Sequence, residues 1–212
     1  MNKLEPLNIN YQDIKIHQHA KVTYLGCILD QCLSGEAMAL NVLNKINSRL
    51  SFLYRKEKFL TPKLKRLLCN ALIQPHFDYA SLSWYPNLNK MLQKKFQTAQ
   101  NKCIRFCLQL NPRSHIGIDS FKKINWLPVK DRVEQIVNVN VFKCLNKNSP
   151  QYINDIIVLS AHGNNTRNGF LKLNQPSVKS NHGLKSFSYQ GPKYWNPLPN
   201  DLKRKESVNA FN

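Results

Sequence analysis

The chain has 212 residues, 42% of them hydrophobic, which suits one ordinary core or two small ones and excludes wholesale disorder. Its 31 lysines and arginines against 12 acidic residues give a formal charge of +19. So large an excess points to a polyanionic partner, nucleic acid first, rather than to a merely soluble basic protein.

The charge is segmental. From Leu40 to Asn70 there are eight basic residues and one acidic, from Pro86 to Ser114 six and none, and from Gly163 to Lys205 eight and one. Between His115 and His162 the balance is six to four, and from Met1 to Leu40 it is three to four. Such blocks are expected where some faces meet phosphates and others only pack. No two carboxylates are adjacent anywhere. The six cysteines form no Cys-x-x-Cys and never pair with histidines at ligand spacing, so they read as buried free thiols in a reducing, intracellular compartment. Neither a signal peptide nor an apolar run of membrane-spanning length is visible.

In chain order, residues 7 to 29 read as strands. Ile14 and Ile16 alternate with Lys15 and His17, and the run from Val22 to Leu29 is apolar and β-branched, with Gly26 marking a bulge or a close backbone approach. A first helix is expected from about Glu36 to Lys58, because Val42, Leu43, Ile46, Leu50, Leu53 and Tyr54 share one face. Thr61-Pro62 starts a second helix that runs to about Gln74, where Pro75 breaks or kinks it. A third spans about Asn87 to Leu110. Its apolar stripe holds Leu88, Leu92, Phe96, Ala99, Cys103, Phe106, Cys107 and Leu110, while Lys90, Lys94, Lys95, Lys102 and Arg105 lie opposite. A fourth runs from about Val129 to Leu145, entered through Trp126-Leu127-Pro128, and a short one starts near Pro150. Beyond Leu159 glycine, proline, asparagine and serine dominate, so short strands or loops are expected. Either a boundary falls near residues 160 to 166 or this tail wraps the helical core. The fold class is therefore mainly α: a short N-terminal strand pair, a helical bundle and an irregular tail with short strands.

Several segments, taken together, resemble the C-terminal part of a reverse transcriptase from a jockey-like non-LTR retrotransposon. They are Tyr24-Leu25-Gly26-Cys27-Ile28-Leu29-Asp30; Gln74-Pro75-His76-Phe77-Asp78-Tyr79-Ala80-Ser81 with Trp84; and Gln97-Thr98-Ala99-Gln100-Asn101-Lys102-Cys103-Ile104-Arg105. Trp126-Leu127-Pro128-Val129 with Arg132 follows, then Lys143-Cys144-Leu145 and Pro150-Gln151-Tyr152. Last come Thr166-Arg167, Ser186-Phe187-Ser188-Tyr189-Gln190-Gly191-Pro192-Lys193 and Trp195-Asn196-Pro197-Leu198-Pro199. The resemblance covers roughly residues 9 to 211. It implies palm-end strands in residues 1–33, a thumb-like bundle in 34–160 and a post-thumb segment in 161–212. It also implies a fragment of an RNA-directed DNA polymerase from a mobile element, with an RNA or RNA–DNA duplex as partner and the nucleus as location.

Family members carry a Tyr-x-Asp-Asp metal site upstream of these segments, and this sequence has none. Two-metal phosphoryl transfer needs carboxylates that hold magnesium ions about 3.5–4 Å apart. The scattered acids here supply no such pair, so the chain is expected to be non-catalytic and to bind no cofactor of its own; magnesium belongs to the missing palm.

By the same resemblance Tyr24, Leu25 and Gly26 match the primer grip; from the residues alone they read equally as a core strand with a bulge. On the first helix Lys45, Arg49 and Lys56 form a row with Phe52 between them, suited to backbone phosphates with an aromatic against sugars or bases. Lys90, Lys94, Lys102 and Arg105 form a similar row, since cations on one helix without a carboxylate repel each other unless an anion offsets them. Lys63, Lys65 and Arg66, near a helix start, are weaker candidates. For every row the plain alternative is a solvated face. His76 and Asp78 read as residues with a hydrogen-bonded packing role rather than as acid–base groups, and Trp84, Trp126 and Trp195 as core anchors. The leading expectation is a non-catalytic template–primer binder. The alternatives are an inactive helical remnant of a transposon, and an enzyme whose palm comes from a second chain.

Overall fold

A computed structural model describes residues 9–12, 14–160, 171–205 and 207–208. Four short strands open it: β1 (Ile9–Tyr11), β2 (Ile14–Ile16), β3 (Lys21–Tyr24) and β4 (Cys27–Asp30). They form two separate antiparallel hairpins, with Ile9 opposite Ile16 in the first, and Lys21 opposite Asp30 and Tyr24 opposite Cys27 in the second. The run from Val22 to Leu29 is therefore not one bulged strand. Leu25 and Gly26 both take positive φ, 46° and 76°, as a two-residue type I′ turn requires, and the chain reverses there. Ile9, Tyr11, Ile14, Ile16, Val22 and Tyr24 are all exposed, so neither hairpin carries a core strand, while Cys27 and Ile28 of β4 pack on the helices.

Asp30 links sheet to helix. Its carboxylate accepts from the Cys32 and Ser34 amides and the Ser34 hydroxyl. Burial acts to raise its pKa, and these hydrogen bonds more than offset that, leaving it below the ordinary value. Gly35 then precedes α1 (Glu36–Arg55) at φ 72°, and a Cβ there would lie 2.5 Å from the Trp84 carbonyl oxygen, so glycine is demanded both by conformation and by space.

A 3₁₀ turn, Glu57–Phe59, leads to α2 (Pro62–Leu72), capped as expected by Thr61 Oγ1 accepting from the Leu64 amide. Pro75 sits in the first turn of a new short helix, α3 (Gln74–Asp78), where a missing N–H breaks no rung. Then come α4 (Ser81–Trp84), a 3₁₀ turn Tyr85–Asn87, α5 (Lys90–Leu108), α6 (Ile118–Ile124), α7 (Val129–Leu145) and α8 (Gln151–Asn154).

Two cores hold the helices. The larger lies between α1, α2 and α5 and includes Ile46, Leu53, Cys69, Ile73, Trp84, Phe96 and Phe106. Buried Gln100 extends from it, its Nε2 donating to the Leu127 carbonyl at 2.8 Å, and Gln97 Oε1 accepts from the Val129 amide, so α5 positions the start of α7. Arg132 on α7 donates twice to Asp78 at the end of α3, at 3.1 and 3.0 Å. The second core is built from Val137, Val141, Phe142 and Cys144 of α7 with Ile157, Leu173 and Trp195.

The last core corrects the expectation of an irregular, strand-bearing tail. The tail contains α9 (Asn181–Lys185), α10 (Phe187–Trp195) and α11 (Asn200–Lys203), and its described strand pairing is a single bridge between Leu159 and Leu173. α10 lies along α7 with Trp195 fully buried, its indole N–H donating to the Leu171 carbonyl; this tail wraps the helical core. A boundary between residues 161 and 166, and the Thr166-Arg167 segment, lie outside the described residues. The fold is mainly α. Among the described residues no helix is long and apolar enough to cross a membrane.

Candidate nucleic-acid interface

α5 starts at Asn89, whose Oδ1 accepts from the Leu92 amide at 2.9 Å. Its apolar face is buried, with Leu92, Phe96, Ala99 and Cys103 against the core. That leaves Lys90, Lys94, Lys95 and Lys102 in solvent on a helix without one carboxylate. Lys94, Lys95 and Lys102 line a groove of about 380 Å³ with Met91 and Thr98 on their own helix and Leu43 and Asn47 on α1. None of its lining residues is acidic, and among the described residues none of these lysines makes an ion pair. Tyr54 locks the two walls together: its hydroxyl donates to the Lys102 carbonyl, and its ring meets Phe106 edge-on at 4.8 Å. Burial pushes the Tyr54 phenol up, so it remains a donor at neutral pH.

The cations expected from the sequence do not form one face. Residues 45 and 47 of a helix are separated by about 200°. Asn47 faces the groove, while Lys45 and Arg49 face His76 and the end of α2, where Arg49 Nη1 donates to the Leu72 carbonyl at 2.7 Å. Arg49 therefore caps the carbonyl end of a helix, a structural role. Phe52 is half exposed and lies beneath the Arg55 guanidinium, 5.9 Å from the ring centre, and Lys56 ends α1 in solvent.

Two candidates are corrected outright. Lys65 is 1% exposed, with its ammonium 2.7 Å from Glu57 and 5.1 Å from the Phe106 ring centre, so it cannot reach a phosphate. Arg105 is half-buried and turns Nε and Nη2 onto the Ser114 carbonyl at 3.0 and 2.9 Å, holding the segment after α5. Lys63 and Arg66 are exposed on α2. Lys95, absent from the expected set although on the same outer face, joins Lys94 and Lys102 in the groove.

Tyr24 and Leu25 are exposed at the hairpin tip, and the Tyr79 hydroxyl donates to the Leu25 carbonyl. Asp78 packs through Arg132 as expected of a hydrogen-bonded residue. His76 Nε2 is buried without a partner among the described residues. Burial first, then the nearby charges of Arg49 and Lys45, hold its pKa below the ordinary value, so the ring is neutral at pH 7. Trp84 and Trp195 are core anchors, and Trp126 is buried with its indole N–H on Asn70 Oδ1 at 2.7 Å. Of the six cysteines, Cys69, Cys103, Cys107 and Cys144 are buried, while Cys32 is exposed and Cys27 half-buried. The carboxylate set that a catalytic metal pair needs is not assembled among the described residues.

No family model, curated protein or solved structure matches this chain. The groove is thus defined by its own chemistry: fixed walls, three lysines and no competing carboxylate. Such a surface suits a polyanionic backbone that is neutralised charge by charge.

Proposed function

We propose that this chain is the palm-end and thumb part of a mobile-element RNA-directed DNA polymerase, without catalytic carboxylates of its own, and that it binds the backbone of an RNA or RNA–DNA duplex in the nucleus. The observation that carries the reading is the groove between α1 and α5, where Lys94, Lys95 and Lys102 stand in solvent with no acidic residue beside them. Four lysines on a helix lacking any carboxylate repel one another, and phosphates relieve that repulsion. Backbone contacts carry no base information, so little sequence preference is expected. Tyr24, Leu25 and Gly26, at an exposed hairpin tip, are available to a strand end in the manner of a primer grip.

The test is a salt titration of duplex binding by fluorescence anisotropy. With about five phosphates contacted, log K falls against log salt at a slope of roughly −3 to −5. Binding that ignores salt, or none at low salt, overturns the reading in favour of an inert helical remnant.

A further inference from the structure

α2 carries two apolar stripes, and the core takes only one of them. Lys65, Cys69 and Ile73 recur every fourth residue and are buried, with the Lys65 ammonium over the Phe106 ring of α5. Leu64, Leu67, Leu68, Ala71 and Leu72 follow the i, i+3, i+4, i+7, i+8 pattern of a second stripe, within about 140° of arc. Leu68 is half-buried, but Leu64, Leu67 and Leu72 are 43%, 60% and 38% exposed, so all three can be reached from solvent. Single exposed leucines are ordinary on a protein surface; a contiguous stripe at helical spacing marks a contact face.

α1 borders that stripe. Arg49 reaches across from α1 to the Leu72 carbonyl, which identifies the side of α1 that faces it. Phe52, three residues on, shares that side and is half exposed, with the Arg55 guanidinium 5.9 Å from its ring centre. Lys45 and Lys56, four residues before Arg49 and seven after it, stand on the same side in solvent. Lys63 is exposed beside Leu67 on the opposite edge of the stripe. Glu57 is the single acidic residue between Leu40 and Asn70, and it is bound to buried Lys65 at 2.7 Å. Among the described residues Lys45, Lys56 and Lys63 make no ion pair. The face is thus an apolar strip with cations on both edges and no free carboxylate beside it.

From Leu64 to Leu72 the strip is narrow and runs about 12 Å, a little over two turns of a helix. That is the footprint of one amphipathic helix laid along a shallow groove and read through its i, i+3, i+4 and i+7 side chains. Cations on both edges are complementary to carboxylates flanking the incoming apolar stripe. A nucleic-acid backbone would lay its phosphates across leucines that offer no hydrogen bond, and a lipid surface needs a broader apolar area. We propose that the α1–α2 face docks an acidic amphipathic helix of a partner protein. Its apolar stripe lies on Phe52, Leu64, Leu67 and Leu72, and its carboxylates lie against Lys45, Lys56 and Lys63. The α1–α5 groove opens on the other side of α1, so this inference takes nothing from the reading above.

The test titrates the full chain into a fluorescein-labelled peptide of about 18 residues, long enough to form a helix, with leucines at i, i+3, i+4 and i+7, glutamates on both flanks and alanine elsewhere. A scrambled peptide of the same composition is the control, and it binds about tenfold more weakly because its leucines share no face. Phe52→Gln/Leu67→Gln weakens the helical peptide about tenfold and keeps the fold by circular dichroism, since both side chains are exposed. Lys56→Gln/Lys63→Gln weakens it about threefold at low salt. Bound peptide slows hydrogen exchange in α1 and α2 and leaves α7 unchanged. Equal binding of the two peptides means attraction by net charge only and overturns the proposal, as does a Phe52→Gln/Leu67→Gln variant that binds normally. The proposal also falls if that variant abolishes a dimer of the chain, its binding to phosphatidylserine vesicles or its binding to duplex, since the strip then belongs to that occupant. A Lys94→Gln/Lys95→Gln/Lys102→Gln variant keeps peptide binding whatever happens to duplex binding, so the two readings fail separately.

Discussion

The hydroxyl of Tyr79 donates to the main-chain carbonyl of Leu25, fastening the tip of the β3–β4 hairpin to the end of α3 across 54 residues of chain. Leu25 occupies the left-handed region at φ 46°, unfavourable for a leucine, and this bond holds its carbonyl in place. A lone two-stranded hairpin is marginal in water, so the tie matters more than its strength suggests. Tyr79→Phe removes one hydrogen bond, worth about 0.5–1.5 kcal/mol. Hydrogen exchange at the β3 and β4 amides speeds up in the variant while the α5 amides are unchanged. Unaltered exchange in the hairpin means the tie is dispensable.

Gly35 joins the same hairpin to α1 from the other side. Alanine there is forced into the left-handed region and drives its Cβ to 2.5 Å from the Trp84 oxygen, a backbone atom that cannot step aside. Gly35→Ala is expected to destabilise by about 2–4 kcal/mol, read from urea unfolding. Gly117→Ala, with φ −102° and its nearest neighbour 3.9 Å away, is the matched control and changes stability by about 0.5 kcal/mol or less.

What is legible in the sequence has a local cause. Thr61-Pro62 starts α2 because the threonine oxygen and the missing proline N–H act within one turn, and the stripe from Leu92 to Cys107 is periodic enough to define α5. α10 is not legible, because Gly191 and Pro192 read as a turn. Its helix survives the rung that Pro192 gives up because it is packed on α7, a pairing of segments about fifty residues apart. Lys65 reads by its charge as a free cation, yet Lys65, Cys69 and Ile73 recur every fourth residue and all are buried, a stripe that places the lysine inward. Arg49 and Arg105 are indistinguishable in the sequence from free cations, since their acceptors are carbonyls 23 and 9 residues away. The cavity lined by Arg66, Asn70, Gln74, Trp126 and Arg132 draws on α2, α3, α6 and α7, and no local pattern marks it.

His76 gives the structure a pH dependence whose sign is fixed. Its pKa in the fold is depressed by burial and then by Arg49 and Lys45, below the unfolded value of about 6.5. Between those two values the unfolded chain binds more protons, so stability rises with pH. The contribution is complete above pH about 6.5 and is lost as pH falls towards the folded value. The urea midpoint therefore drops between pH 7.5 and 5.5, and drops less in His76→Gln. Equal drops in both proteins would remove His76 as the cause.

Purified chain supplied with magnesium, primer–template and nucleotides is expected to give no extension above background, because two-metal transfer requires a set of carboxylates and none is assembled among the described residues. Incorporation that persists through repurification overturns this.

The organised groove makes a sharper claim than net charge does. Lys94, Lys95 and Lys102 share one groove and have no competing partner among the described residues, whereas Arg49 and Arg105 are spent on backbone carbonyls. Replacing the three lysines with glutamine should make the salt slope of duplex binding shallower by roughly 2–3, about 0.9 for each phosphate no longer neutralised. Removing charge at Lys15 and Lys143, outside the groove, alters the slope by less than a single phosphate's share. Arg105→Gln acts differently: it releases the Ser114 carbonyl, so its effect shows in the unfolding midpoint before it shows in the slope. If the triple variant and the Lys15/Lys143 pair lose affinity equally per charge, total charge alone attracts the duplex and the α1–α5 groove is not its seat.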